Sequence, residues 1–377
     1  MKIVQKTSLL SSLLLFAGGL FADGLQYEVV VHQKSGQEQK IHMLSIDIKK
    51  MDSLRLGHAV GDVCSREELS TMGLRHKPTV ATTIGSVRRG GRYNGCPNEL
   101  LIIDSYAQSD AGLFRPTLIL DAAEHTIVIK QQKIYWQVGI GDLSISIDRI
   151  NQPATADNEV VLYNPLFGRD TRTAPQGLEL VIERGKLNQV CSEWGNARIP
   201  SQGYVLHIGS KHPLANINWQ NYLTKSCVSP STATIDLQRD NVFGVQGLLM
   251  LIDQGRVVGS WEQQFAVSGF PTRLADEAGV DLNNKATRGT FVAQAATHTA
   301  LGLTADGLLK IVTVEGAGAT LDEIAKLMLG IGCVTAMLAS SGGDVGLWYQ
   351  DRLVTTPVGE ELPIGTALLL FENPPLE

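Results

Sequence analysis

From His298 to Asp344 the chain reads HTALGLTADGLLKIVTVEGAGATLDEIAKLMLGIGCVTAMLASSGGD. Thr299 to Leu303 reads as a strand, Asp306-Gly307 as a hairpin turn, and Leu308 to Val314 as the returning strand. Thr320 and Glu323 form a capping box, and Asp322 and Glu323 suit the positive end of a helix. Leu321, Ile324, Leu327 and Met328 make one apolar face. A helix is therefore expected from about Thr320, ending at Gly330 to Gly332. Cys333 to Ala339 is then the next strand. Strand, glycine loop, helix and strand of these lengths predict a right-handed βαβ crossover, whose two strands run parallel if they share a sheet.

That topology places chemistry. Parallel strands bring their carboxyl ends to one edge, the usual place for ligands in open sheets. Glu315, with Gly316 and Gly318, should face the same crevice as Asp344, with Ser340, Ser341, Gly342 and Gly343. His298 and Thr299 lie on the strand that pairs with the first of them. The glycines permit close backbone approach, and N–H groups ahead of the helix can receive an anion such as phosphate. Glu315 and Asp344 are the candidate acid pair, with His298 as a further acid or phosphate donor. Plain turn chemistry would explain the same carboxylates equally well, Glu315 capping the glycine turn and Asp344 solvating a hairpin.

Outward from this stretch the chain is strand-rich. Gln26 to Lys49 alternates apolar and polar residues around Lys34-Ser35-Gly36-Gln37, a hairpin signature. Cys64 to Met72 reads as a short helix capped by Ser65. Short apolar runs follow, from Thr79 to Ile84 through Leu100 to Ile103, Leu178 to Ile182 and Tyr204 to Ile208 to Gly247 to Ile252, punctuated by Gly, Pro, Asn and Asp. The stretch from Pro271 to Gly289 is the least patterned and is expected to be a surface excursion near the site. The expected fold is α+β: a strand-rich single domain over 23–377, with a mixed sheet and the C-terminal crossover.

The N-terminus carries Lys2 and Lys6 and then an apolar run from Leu9 to Ala22, the layout of a signal peptide over 1–22. The run is shorter than the roughly 20 residues that span a bilayer, so the expectation is an exported chain, periplasmic or extracellular, with no membrane span in its mature part. The 377 residues hold 32 basic and 38 acidic side chains. Removing the two leader lysines makes the balance more acidic still, which argues against nucleic acid as a partner.

The five cysteines, Cys64, Cys96, Cys191, Cys227 and Cys333, form no C-x-x-C pair and give no zinc or thioredoxin signature. In an oxidising compartment some of them could pair; Cys333, in an apolar run, reads as a buried thiol. G-x-S-x-G and H-E-x-x-H are both absent, and the glycine stretch is neither a P-loop nor a full dinucleotide fingerprint. No cofactor or metal is called for by these motifs.

The order of phrases resembles the phosphodiester glycosidase family. The resemblance rests on His298 to Thr304, Asp306-Gly307, Val312 to Gly316, Thr320-Leu321 and Ser341-Gly342-Gly343. Upstream it rests on Asn151-Gln152-Pro153, Val161 to Pro165, Phe167-Gly168, Ile199-Pro200, Gly203 to Leu206 and Gln246 to Leu249. It implies a hydrolase acting on a sugar-phosphodiester, with a carbohydrate or sugar-phosphate ligand; bacterial relatives are often tied to exopolysaccharide. The family's Arg-Thr-Ala-Ile-Gly stands here as His298 to Gly302, its Asp-Gly-Gly-Gly-Ser as Ser340 to Asp344, and its Asn-Gly-Gly-Phe-Phe as Thr83 to Val87. Thr83 joins the candidate binding residues on that basis. Two readings follow: an active hydrolase, or a catalytically degenerate envelope protein that keeps a glycan crevice.

Overall fold

The computed structural model describes residues 3–5, 24–192, 195–267, 293–357 and 359–372. Most of the expected leader and the stretch 271–289 lie outside the described residues. The opening hairpin pairs β1 (Leu25–Lys34) with β2 (Gln37–Ile46) along their full lengths. Ser35 and Gly36 between them both take positive φ, 54° and 80°, as a two-residue primed hairpin turn requires. Helix α1 spans Leu69–His76 with Glu68 as its N-cap, five residues after the expected start, because Glu67 is bridged to Ile364 through both main-chain groups. The described strands then include β3 (Val80–Thr83), β4 (Leu249–Asp253), β5 (Ala296–Thr304) and β6 (Leu309–Ala319). Helix α2 (Leu321–Gly330), β7 (Cys333–Ser341) and β8 (Thr366–Phe371) complete the part that positions the site.

The largest sheet has the order Ile3–Gln5, β1, β2, β6, β5, β7, β4 and Arg256–Val257. β6 and β7 both run antiparallel to β5, which lies between them. They therefore share a direction, joined through α2, but they do not touch: the crossover is split by the strand that precedes it. The sheet is mixed only at its edge, where Ile3–Gln5 pairs parallel with β1. The capping box at Thr320 and Glu323 forms as the sequence predicts, and Leu321, Ile324, Leu327 and Met328 are all buried.

Strand alternation gives the large sheet two apolar faces. One face, with Ala300, Val312, Val314 and Leu338, packs under α2. The other, with Leu44, Ile46, Leu301, Ile311 and Met337, packs against two smaller sheets. The first of these holds Arg352–Leu353, Leu347–Tyr349, β3, β8 and Ser53–His58; the second pairs Val242–Gln246 with Leu101–Ile103 and Arg115–Asp121. Helix α1 covers the far side of the β3–β8 sheet through Leu69 and Met72 on Trp348 and Leu369. A further five-stranded sheet, with Val160–Tyr163, Leu178–Glu183 and Gly203–Ile208, continues the core beyond this unit. The protein is thus mostly β, with α2 on one face of the largest sheet and α1 on the far side of the β3–β8 sheet.

Candidate active site

β6 and β7 end at the same edge, so Glu315 and Asp344 do leave the same end of the sheet. They do not share a cleft. Glu315 is buried and accepts from His42 Nε2 at 3.2 Å and from the Thr356 N–H at 2.6 Å, with Lys40 Nζ 4.0 Å away. His42 in turn meets the Tyr27 hydroxyl through Nδ1 at 2.8 Å. Burial works to raise the Glu315 carboxyl, but the His42 bond, the Thr356 N–H and Lys40 outweigh it and hold the group below its ordinary value. Every partner of Glu315 is a group of the protein, and the chain Tyr27–His42–Glu315 ties β1, β2 and β6 to the loop at Thr356.

The expected glycine loop is not a loop. β6 continues through Glu315 to Ala319, and the glycines serve strand packing. A Cβ at Gly316 would come within 2.2 Å of the Glu38 carbonyl, and one at Gly318 within 2.6 Å of the Ala296 backbone. The Gly318 carbonyl accepts from Gln39 and from Lys34, at 3.2 Å for the lysine. The helix N-terminus is occupied by its own Thr320–Glu323 box, and Glu323 is further paired to Lys34 at 2.5 Å. An anion has no place there.

His298 also parts from the group. From β5 it pairs with Val314 of β6, the neighbour of Glu315, so the His298 and Glu315 side chains project from opposite faces of the sheet. On the helix-covered face it is buried, and desolvation pushes its pKa down to about 4, opposed by the Ala319 main chain. A neutral, enclosed imidazole does not reach a phosphate in the crevice. Thr299 pairs with Thr313 through their hydroxyls at 3.2 Å. Ser340, opposite Thr299 in register, is buried with no partner for its Oγ. Ser341 lies beside His298 in register, and the Gly342 carbonyl after it accepts from Thr297 Oγ1 at 2.6 Å.

Two of the sequence candidates do meet. Thr83 and Asp344 line one narrow cleft together with Gly85, Ser86, Glu99 and Thr366. The cleft is built from the end of β3, the turn Gly342–Asp344 after β7, and the start of β8. The Gly85 N–H binds the Ala339 carbonyl at 2.9 Å, which stitches the β3 exit onto β7. Gly85 has φ +79°, and a Cβ there would lie 2.3 Å from Glu99 Oε1; only glycine lets that carboxylate in. Glu99 then accepts from the Ser86 N–H at 2.6 Å and Ser86 Oγ at 3.0 Å, with the buried Arg115 guanidinium 3.8 Å away. Asp344 is clasped by Arg89. Burial raises its carboxyl above the usual range, against the pull of Arg89 and, more weakly, Arg66.

This cleft therefore holds two carboxyl groups, Glu99 buried against Arg115 and Asp344 paired with Arg89. That is the equipment for splitting a glycosidic C–O bond beside a phosphate: one carboxyl to give a proton, a second to act as nucleophile or base, and cations for the phosphate oxygens. Its open space is about 10 Å³, room for roughly one water. Among the described residues no group of three or more His, Cys, Asp or Glu side chains is placed to hold a metal ion. Sequence reasoning missed Glu99 and Arg89. Glu99 stands at the border of the apolar run Leu100 to Ile103, where a charge reads as a solvated strand end; its burial comes from Arg115 on another strand.

The family model for phosphodiester glycosidases matches residues 157–371, more than half of the chain. The chain belongs to the phosphodiester glycosidase family. The match takes in Asp344 but starts after Glu99, so this phosphodiester glycosidase-family chain draws more than half of its cleft lining from outside the matched stretch. Two solved structures share the fold. A hypothetical protein from Synechocystis aligns with a TM-score of 0.73 at 17% identity, over 92% of this chain and 62% of that one. This chain thus spans less than two thirds of the Synechocystis protein. A protein of Burkholderia pseudomallei K96243 that is predicted to be exported aligns with a TM-score of 0.70 at 19% identity, over 90% and 75%. The catalytic domain of zebrafish N-acetylglucosamine-1-phosphodiester alpha-N-acetylglucosaminidase, auto-inhibited by its pro-peptide, aligns at 0.44 and 13% identity over 93% and 84%. No curated protein matches the chain in sequence. Among the described residues no helix is long and apolar enough to cross a membrane.

Proposed function

We propose that the protein hydrolyses a sugar from a sugar-phosphodiester of an envelope or exported glycan, with Asp344 as the acid and Glu99 as the nucleophile or base. The observation that carries this reading is that both carboxyl groups line one cleft, Asp344 raised toward its protonated form by burial. A carboxyl kept protonated nearer neutrality is what a general acid needs. Arg89 and Arg66 would take the phosphate once substrate parts the Arg89–Asp344 clasp. In this reading Glu315, His298, Thr299, Ser340 and the glycines of β6 are framework, and Thr83 is a binding residue. The test is incubation with a panel of sugar-phosphodiesters and assay of free sugar. Release that is abolished in Asp344→Asn supports the proposal.

A second reading is binding without turnover. It draws on the tightness of the cleft and on the clasp that closes Asp344 against Arg89. Sugar bound by the wild-type protein with no free sugar released would decide for it. Either way we read the chain as exported to the periplasm or exterior. The leader layout, the Cys64–Cys96 disulfide and the exported designation of the Burkholderia protein support this. Recovery of a mature N-terminus at about Asp23 from an exporting host is the expected result, and an intact Met1 would remove it.

A further inference from the structure

A second cavity, much wider than the Glu99–Asp344 cleft, opens elsewhere on the described molecule. It lies between the loop around Arg92, the 153–157 turn, the 172–176 segment and the end of the strand Gly203–Ile208, and it has about 430 Å³ of open space. Small-molecule sites commonly measure about 300 to 1,000 Å³. Arg92, Arg172 and His207 line it. His207 is 6% exposed, and its Nδ1 has no hydrogen-bond partner. Burial lowers its pKa, Glu179 opposing, so it enters as a neutral imidazole that still offers one N–H. His207 thus lines the cavity with one ring nitrogen that the fold leaves unused.

The two arginines are fixed in advance. Arg92 Nη1 donates to the Arg172 and Thr173 carbonyls at 2.9 and 3.2 Å. Arg172 packs over the Phe167 ring at 4.9 Å and reaches Asp62 at 3.4 Å. A guanidinium has five N–H donors, so these contacts leave most of them uncommitted. The one acidic side chain in the lining, Asp157, is already paired with Lys211 at 2.8 Å. The cavity is therefore cationic on balance. Alanine methyls and a proline alternate in its wall with Thr155, Thr173, Gln176 and Ser210, a mixture that suits the CH faces and hydroxyls of a sugar ring better than a bare ion.

We propose that this cavity is a second binding site, for a saccharide that carries a carboxylate or phosphate group, separate from the Glu99–Asp344 cleft. Arg89, which clasps Asp344, and Arg92, which lines the cavity, are three residues apart on one loop, so their Cα atoms are within about 11 Å. One acidic glycan chain could engage both. The site does not depend on turnover at the narrow cleft.

The experiment is calorimetric titration of the full chain with glucose 6-phosphate, glucuronic acid, glucose and inorganic phosphate. At least one anionic sugar is expected to bind, with glucose and inorganic phosphate markedly weaker. Which anionic sugar binds distinguishes a phosphorylated from a uronate glycan. Arg172→Gln should weaken that binding about tenfold or more, as loss of a charge-assisted contact does. His207→Ala, should the first variant fail to fold, gives an independent reading. Asp344→Asn, which frees Arg89 at the narrow cleft, should not remove this binding. Binding by none of the probes, equal binding of glucose or phosphate, indifference to both lining variants, or loss in Asp344→Asn alone would each overturn the proposal.

Discussion

Glu315 and Asp344 leave the same end of one sheet on strands that share a direction, and the molecule treats them in opposite ways. Glu315 is surrounded by donors of its own fold, His42 and the Thr356 N–H, which outweigh burial and keep it ionised. Asp344 has one clasping arginine, and burial still wins. The first is a tie between elements; the second faces a cleft with another carboxyl group in it. Shared position on a sheet edge thus says little about role. What separates the two here is the surroundings: Asp344 lines a cleft beside Glu99, whereas Glu315 lies among His42, Lys40 and the Thr356 N–H.

The sharpest way to break this contrast is kinetic. Asp344→Asn and Glu99→Gln are each expected to lower sugar release by two to four orders of magnitude, about 3 to 5 kcal/mol of barrier. Glu315→Gln should keep kcat within a few-fold. Equal losses from all three would erase the distinction.

Next comes the loop that carries Arg89 and Arg92. Cys64–Cys96 closes a span of 32 residues, for which chain entropy predicts about 3 to 4 kcal/mol. Cys96→Ser should lower stability by that order in urea titration. An unchanged midpoint would mean the loop is held by its other bonds, such as Gly95 N–H to the Arg88 carbonyl.

Glu315→Ala leaves the buried His42 Nε2 without its acceptor, and should cost about 1 to 3 kcal/mol. The same variant at Asp344, on the cleft side, should cost less, because a burial penalty goes with the carboxylate. A larger thermal loss from Asp344→Ala than from Glu315→Ala would reverse the assignment.

The smallest expected effect is in pH. Glu315 sits below its unfolded value, so its contribution is present above about pH 4.3 and is lost as pH falls through its folded value. Asp344 sits above its unfolded value, so it favours folding most below about pH 3.9 and loses that contribution as pH rises through its folded value. Asp344→Asn should therefore melt no lower than wild type at pH 7, and Glu315→Gln should lose less stability on acidification. Melting curves from pH 3 to 7 read both signs.

Local patterns were legible wherever one segment decides its own conformation. The β1–β2 turn, the Thr320 capping box and the apolar face of α2 follow from neighbouring residues alone. The crossover was legible in direction but not in contact, because nothing in β6 or β7 says that β5 will lie between them. At the site, Thr83 and Asp344 could be named and Glu99 could not. Its partners Ser86 and Arg115 come from other elements, and its burial exists only once Gly85 admits it. His298 was misplaced for a simpler reason: one residue of register moves a side chain to the other face.

The way the largest sheet is stitched sets an order of events for folding. β1–β2 and β5–β6 are hairpins that close over short loops, but β2 meets β6 through Ile46 opposite Leu309, across most of the chain. Until that seam forms, two long strand edges stand open, one made early in synthesis and one late. Non-local pairing of this kind is slow and exposes edges that can pair with other chains. A chain captured before its C-terminal third has emerged has no partner for β2, so aggregation during production should trace to that edge rather than to the cleft.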